Sequence, residues 1–209
     1  MIKTLLVILL TISSQIGLSA IQLQGSFGRK NFELDRFDIE ANVLAFGAHY
    51  SFDLNYLSIL AGPSINYYSQ FDISTRFSDQ FELTEIGIEA IGEIYTGTQV
   101  VPYGKLRQIL MSEGSLEEDT RSSFFRNRSD EVDFSTFGLE MALGVRFTVV
   151  PNISLHGEIG FPLVQTYEIE DRRWRRDRFG GFDRGGRVLD DREGSLRGSS
   201  FLAGASARF

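Results

Sequence analysis

Residues 136–147 read TFGLEMALGVRF, and apolar and polar side chains alternate along this stretch. A period of two places successive side chains on opposite faces of a β-strand, whereas a helix would mix the two sets. The stretch therefore predicts a strand with one apolar and one polar face. The apolar face consists of Phe137, Leu139, Met141, Leu143, Val145 and Phe147, and the polar face of Thr136, Glu140 and Arg146.

The same alternation recurs along the rest of the chain, which predicts an all-β protein of eight strands. Its weakest occurrence is near 103–111, where Leu106 and Leu110 oppose Lys105 and Arg107. In chain order the apolar sets begin at Ile21, Leu44, Leu57, Ile86, Leu106, Phe137, Ile153 and Phe201.

The second strand contains a change of parity. Phe37, Ile39, Ala41 and Val43 alternate out of step with the set that begins at Leu44. A β-bulge near Val43 would switch the faces. Alternatively the strand continues above a membrane, where Asp38, Glu40 and Asn42 point into water.

The first twenty residues are typical of a secretory signal peptide, because Lys3 precedes the apolar run LLVILL at 5–10. That run is shorter than the roughly 18–20 residues that a membrane-spanning helix needs. We therefore expect residues 1–20 to be a signal peptide and residues 21–209 to form one domain. The absence of Cys excludes a disulfide scaffold, and the net charge of −7 argues against nucleic-acid binding. We expect no cofactor.

The connections between the predicted strands alternate in length, a pattern that outer-membrane barrels show. Short connections fall at 53–56, 96–102 and 148–152, and long polar ones at 29–37, 69–81, 112–133 and 166–198. Aromatic residues lie near both sets of strand ends, which predicts two girdles at the membrane surfaces. They are Phe52, Tyr56, Tyr95, Tyr103, Phe147 and Phe209 at the short-turn ends, and Tyr67, Phe81, Phe161 and Tyr167 at the long-loop ends.

The chain ends in FLAGASARF, with an apolar residue at every second position back from Phe209. This end resembles the C-terminal strand signature of bacterial outer-membrane β-barrels, and the whole pattern resembles the small barrels of the OmpA and OmpX type. The resemblance implies an antiparallel, eight-stranded, up-and-down transmembrane barrel in the outer membrane, with short periplasmic turns and long extracellular loops. It also implies that Phe209 is an assembly signal for the barrel assembly machinery. We expect a monomer in contact with outer-membrane lipid.

The polar faces of the predicted strands contain acids and bases, and in a barrel these faces point inward. The inward set comprises Glu85, Glu89, Glu93, Glu140 and Glu158 with Lys105, Arg107, Arg146 and Arg208. At about eight strands the interior is only wide enough for side chains. We therefore expect a charge network that plugs the interior and not a catalytic site. His156 near Glu158 and His49 beside Ser51 invite a nucleophile hypothesis, but neighbours on one strand do not make a triad.

The last long connection groups arginines around an aromatic residue: Arg172, Arg173, Arg175 and Arg176 flank Trp174. Guanidinium groups bind phosphate in a two-pronged manner, so this loop predicts a polyanion ligand, with lipopolysaccharide the nearest candidate. Neighbouring acids nearly cancel the charge and could pair with the arginines instead.

These observations predict an outer-membrane barrel that is not an enzyme and that acts structurally or through its extracellular loops. The alternatives are a lipid-A-modifying enzyme, a small-solute porin-like channel, and a soluble barrel of the lipocalin type with inverted polarity.

Overall fold

The computed structural model describes residues 20–34, 38–54, 56–70, 81–119, 129–171 and 192–209. These residues form nine strands, and within them no helix has the length and apolar character needed to cross a membrane. The strands are β1 (Ile21–Glu33), β2 (Asp38–Leu54), β3 (Leu57–Gln70), β4 (Phe81–Ile94), β5 (Val100–Asp119), β6 (Ser129–Val150), β7 (Ile153–Asp171), β8 (Arg192–Ser195) and β9 (Ser200–Arg208).

The strands close into an antiparallel ring. Each of β1 to β7 pairs with the next, and β9 pairs with both β1 and β7. The short strand β8 continues the line of β9 along β7, with Thr166 opposite Ser195. Eight strands therefore make the ring, as predicted, and the eighth is divided into β8 and β9 by residues 196–199.

The parity change in the second strand has a simple explanation. Strand β2 pairs with β1 in one continuous register from Glu33↔Asp38 to Ile21↔Tyr50, without a bulge. Ile39, Ala41 and Val43 are buried in the barrel, whereas Asp38 and Glu40 are exposed. The strand thus continues upward, and the bulge hypothesis is wrong. The connection from β1 is correspondingly shorter than the predicted loop at 29–37.

Bulges occur instead on β5 and β7. Leu110 is left without a partner because Ile86 pairs with Met111 and Gly87 with Ile109. Leu163 is bypassed in the same way on β7, where Leu139 pairs with Val164 and Glu140 with Pro162. On the long-loop side of each bulge the inward positions change between odd and even residue numbers.

The outer surface of the ring carries an apolar belt. Its large side chains are 37–71% exposed. A solvent-facing surface of this size and continuity is not stable in water, and it fits the lipid-facing band of a transmembrane barrel. The belt includes Leu23, Phe27, Leu44, Phe46, Ile59, Ile65, Ile86, Ile88, Leu106, Leu110, Phe137, Leu143, Val145, Leu155, Ile159, Phe161, Val164 and Phe201.

Above the belt, on the side of the predicted long loops, the outward side chains become polar and mostly acidic. We call this ring the collar. Its members are Arg29, Glu33, Asp38, Glu40, Glu82, Glu113, Glu168 and Glu193.

The inward face changes in the opposite sense. Level with the belt it is mostly polar, apart from a small apolar cluster of Leu60, Ile91 and Tyr103, whereas inside the collar it forms an apolar cluster that we call the cap. Phe32, Phe81 and Phe134 pack edge to face, with ring centroids 5.5 Å apart in each successive pair, and Tyr167 stacks on Phe134 at 6.2 Å. The predicted placement of Phe81, Tyr103 and Tyr167 in membrane girdles is therefore wrong, since all three point into the barrel.

Candidate functional site: the barrel interior

The charged residues that the sequence assigned to the interior all lie at positions whose side chains point into the barrel. Arg107 is 2% exposed and Glu85 is fully buried, although both bear charge. A buried charge is stable only if it is paired and hydrogen-bonded. Glu89, Glu93, Lys105, Arg146 and Glu158 are also buried, and the side chains of Glu140 and Arg208 are 15% and 27% exposed.

The upper cluster centres on Arg107. Its Nη1 donates to Glu85 Oε2 at 2.6 Å and to Glu140 Oε2 at 3.0 Å. Glu85 also accepts hydrogen bonds from the hydroxyl groups of Tyr68, at 2.8 Å, and Thr136, at 2.6 Å. One carboxylate thus ties together strands β3, β4, β5 and β6.

Lys30 belongs to this cluster and was missed in the sequence, because residues 29–37 resembled a loop. It forms an ion pair with Glu140, and its ammonium lies 4.8 Å from the ring centre of Phe32 and 5.2 Å from that of Tyr68. The signal that could have revealed it is parity, since Lys30 continues the inward series of Gln22, Gln24 and Ser26.

The middle cluster joins β2, β4, β5 and β7. Lys105 forms an ion pair with Glu158, which also accepts a hydrogen bond from the Tyr103 hydroxyl at 2.8 Å. On the opposite side His49 Nε2 lies 3.0 Å from Glu89 Oε2. Lys105 lies 3.9 Å from Glu89 and so links the two halves.

The lower cluster lies at the end of the barrel where the short turns are. Arg146 forms an ion pair with Glu93, and its Nη1 is 3.3 Å from Gln22 Oε1. Arg208 donates to both carboxylate oxygens of Asp53 at 2.8 Å and to Ser51 Oγ at 2.6 Å. Asp53 had no assigned role in the sequence, because it falls in a predicted turn.

Across the three clusters every inward carboxylate contacts a basic group. Six acids, Asp53, Glu85, Glu89, Glu93, Glu140 and Glu158, face five strong bases, Lys30, Lys105, Arg107, Arg146 and Arg208. The acids outnumber the strong bases by one, but each acid lies within 4 Å of a lysine or arginine nitrogen, and Glu89 shares Lys105 with Glu158.

The histidines do not form the pairs that sequence proximity suggested. His49 contacts Glu89, whereas Ser51 accepts its hydrogen bond from Arg208. His156 Nε2 instead lies 2.8 Å from Ser26 Oγ on β1, and both residues flank Gly204 of β9. Its Nδ1 has no hydrogen-bond partner among the described residues, so this pair lacks the acid that orients a catalytic histidine. The described residues also contain no group of three His, Cys, Asp or Glu that could hold a metal ion.

The predicted polyanion-binding residues Arg172, Arg173, Trp174, Arg175 and Arg176 lie outside the described residues. The predicted assembly signal, Phe209, is described. It is 75% exposed at the lower rim, and its backbone exchanges two hydrogen bonds with Ile21, of 2.8 and 3.1 Å.

Comparison with solved structures identifies the architecture. Neisserial surface protein A aligns over 90% of this chain and 97% of its own, with a TM-score of 0.52 and 16% identity. The chain has the fold of a small outer-membrane β-barrel. Together with the apolar belt, this fold places the barrel in the outer membrane and confirms the predicted architecture.

Two further solved structures cover similar shares of the chain. The outer membrane protein OprG of Pseudomonas aeruginosa covers 92% of this chain and 96% of its own, with 10% identity and a TM-score of 0.49. The attachment invasion locus protein Ail of Yersinia pestis covers 91% and 97%, with 16% identity and a TM-score of 0.48. No protein-family model and no curated protein sequence matches the chain.

Proposed function

We propose that the protein is a closed outer-membrane barrel, neither an enzyme nor a diffusion pore, which acts structurally or through surface contacts of its extracellular loops. The observation that carries this proposal is the change of the interior from ion-paired to apolar along the barrel axis. A polar solute would have to break the ion pairs of Arg107 and then cross the rings of Phe32, Phe81 and Phe134.

The chemistry of the interior supports a structural role over catalysis. The Ser26–His156 pair is buried on the inward face, away from the lipid that a lipid-A-modifying enzyme would have to reach. It also lacks a carboxylate on His156 Nδ1. A His156→Ala variant is therefore expected to leave the lipid A of the host membrane unchanged, as measured by mass spectrometry.

Conductance tests the closed barrel directly. Purified protein in planar bilayers is expected to give no stable channel at neutral pH, whereas a general porin measured beside it provides the open control. Steady channels of porin size in the unmodified protein would refute closure.

The surface role concerns the arginine-rich loop. Replacing Arg172, Arg173, Arg175 and Arg176 with Ser is expected to weaken salt-sensitive binding of lipopolysaccharide while the barrel stays folded. Arg29→Ser is the control, because Arg29 lies in the collar and its exposed charge already contacts Glu40 at 2.9 Å. Unchanged binding by the loop variant at low and moderate salt would remove the loop from the proposal.

A further inference from the structure

The excess carboxylate of the barrel interior lies in the middle cluster. In the upper and lower clusters two acids face two strong bases each. In the middle cluster Glu89 and Glu158 share one strong base, Lys105. Among the described residues the middle cluster is therefore short of one positive charge.

Glu89 is the acid with the weaker contacts to strong bases. Lys105 forms its ion pair with Glu158, and its Nζ lies 3.9 Å from Glu89 Oε1. Arg107 Nε lies 3.8 Å from the same oxygen and donates instead to Ser64 Oγ at 3.2 Å. Neither base is within hydrogen-bond distance of Glu89, which is 4% exposed. A buried carboxylate is stable only if it is paired and hydrogen-bonded, so Glu89 needs a further positive group.

His49 of β2 makes the hydrogen bond that the strong bases do not make. Its Nε2 lies 3.0 Å from Glu89 Oε2, and its side chain is fully buried. Two glycines leave the space for its ring. A Cβ at Gly47 would lie 2.5 Å from His49 Cε1, and a Cβ at Gly62 of β3 would lie 1.9 Å from the carbonyl oxygen of Ala48. The imidazole thus reaches across β3 to β4.

The contact between His49 and Glu89 crosses an interruption of the wall. Strands β2 and β3 keep one register throughout, but between Gly47 and Tyr50 their described ladder contains no pairs. Pro63 of β3 lies opposite this gap and has no N–H to donate. The two side chains therefore tie β2 to β4 at a level where the backbone of β2 is not paired with β3.

We propose that His49 is an imidazolium at neutral pH and that its ion pair with Glu89 is a proton-dependent latch of the barrel wall. The protonated ring gives the middle cluster two cations for its two acids. The described residues contain no group of three ligands that could hold a metal ion in its place. His49 Nδ1 has no hydrogen-bond partner among them in either form of the ring, so the charge of the cluster decides between the two forms.

His156 has the opposite surroundings. Arg146 pairs with it directly across β6 and β7. Arg146 Nη2, which can only donate, lies 3.4 Å from Gln24 Oε1, so the amide nitrogen of Gln24 faces His156. That nitrogen also donates, and His156 Nε2 accepts from it at 3.2 Å. His156 Nε2 therefore bears no proton, and His156 is a neutral counterpart of His49.

The strands beside His49 present uncharged residues to it, Gln22 on β1 and Gly62 on β3. The other charged and titratable groups that face the pair lie on β5, β6, β7 and β9. Lysine, arginine, glutamate and tyrosine ordinarily keep their charge state between pH 7 and pH 9, so an effect in this range points to histidine. These groups are Tyr103, Lys105, Arg107, Arg146, His156, Glu158 and Arg208.

Nitrogen NMR tests the protonation state, because the chain contains two histidines, His49 and His156. The protein is labelled with ¹⁵N-histidine, placed in lipid nanodiscs and measured at pH 7. His49 is expected to show two protonated ring nitrogens, and His156 one protonated and one unprotonated nitrogen. The variants His49→Gln and His156→Gln assign the signals. A neutral His49 ring at pH 7 overturns the proposal.

Unfolding in urea, with the protein in lipid vesicles, tests the latch. The folded barrel holds a proton that the unfolded chain largely releases in this range, so the free energy of unfolding falls as the pH rises. From pH 7 to pH 9 the equilibrium constant for unfolding is expected to rise at least fivefold in the unmodified protein and less than twofold in His49→Gln. His156→Gln is the matched control and is expected to keep the fivefold rise.

A second variant separates the latch from a general loss of packing at His49. Adding Glu89→Gln to His49→Gln removes the excess acid and is expected to make the barrel more stable than His49→Gln alone at both pH values. The heat-dependent gel shift checks that each variant is folded. A rise in His49→Gln equal to that of the unmodified protein overturns the proposal, and so does a double variant that is no more stable than the single one.

Discussion

Lys30 on β1 and Glu140 on β6 form an ion pair across the barrel interior, immediately below the ring of Phe32. This pair marks the level at which the inward face changes from polar to apolar. On the outer surface the reverse change occurs at nearly the same level, between Phe27 and Arg29. The barrel is therefore built as a membrane protein below this level and as a water-soluble β-barrel above it.

The first prediction concerns Arg107, whose loss would leave the fully buried Glu85 without a cation. Removing one partner of a buried ion pair lowers the free energy of unfolding by about 3–5 kcal/mol. Arg107→Met is expected to lower the free energy of unfolding by an amount of that order, measured by urea titration of the protein in lipid vesicles. Arg29→Met, at an exposed pair, is expected to change it by no more than about 1 kcal/mol. Similar losses in both variants would show that the interior network contributes little.

The second prediction concerns the cap. Phe81 is 1% exposed and packs edge to face against both Phe32 and Phe134, so Phe81→Ala leaves a cavity in the cap. Such a truncation costs about 3–5 kcal/mol in a well-packed core. Phe137→Ala, at a lipid-facing position that is 60% exposed, is the matched control and is expected to cost clearly less. If the two variants unfold at the same urea concentration, the cap is not packed as a core.

The third prediction locates the membrane boundary. Leu143 lies at the middle of the belt on β6, and Leu143→Arg is expected to destabilise the barrel by about 2–4 kcal/mol in vesicles. Asn42→Arg, in the outward position directly above Leu44, is expected to cost about 0–1 kcal/mol because it faces the headgroup region or water. The difference between the two losses in free energy of unfolding shows which position lies deeper in the hydrocarbon. A large loss of stability at Asn42 would place the membrane boundary above the level of Asn42 and Arg29.

The lower part of this barrel could be predicted from sequence because one rule applies to most of it. Along 136–147, and along seven other segments, most apolar side chains face out and most polar ones face in, with Leu60 and Ile91 as buried exceptions. The same rule assigned Glu85, Glu89, Arg107 and Glu158 to the interior, where the structure places them.

The upper part could not be predicted in the same way, because the rule reverses there. Glu33, Glu113 and Glu168 are outward collar residues, but in sequence they fall within predicted loops, and so the strands were predicted too short. Phe81 and Tyr167 were assigned to a girdle because aromatic residues near strand ends normally lie at the membrane surface. The bulges at Leu110 and Leu163 leave no residue signature, and only pairing with the neighbouring strands reveals them.

The last prediction concerns Phe209, whose backbone pairs with Ile21 where the ring closes and whose side chain is exposed at the rim. Deletion of Phe209 removes both the backbone bonds and the side chain, whereas Phe209→Ala removes the side chain alone. If the side chain is the assembly signal, both changes reduce the fraction of protein in the outer membrane that shows the heat-dependent gel shift. Phe147→Ala, at an exposed aromatic position of the same rim, is the control and is expected to assemble normally. If Phe209→Ala assembles normally while the deletion variant fails, assembly depends on the backbone bonds that close the ring. The Phe209 side chain is then not the assembly signal.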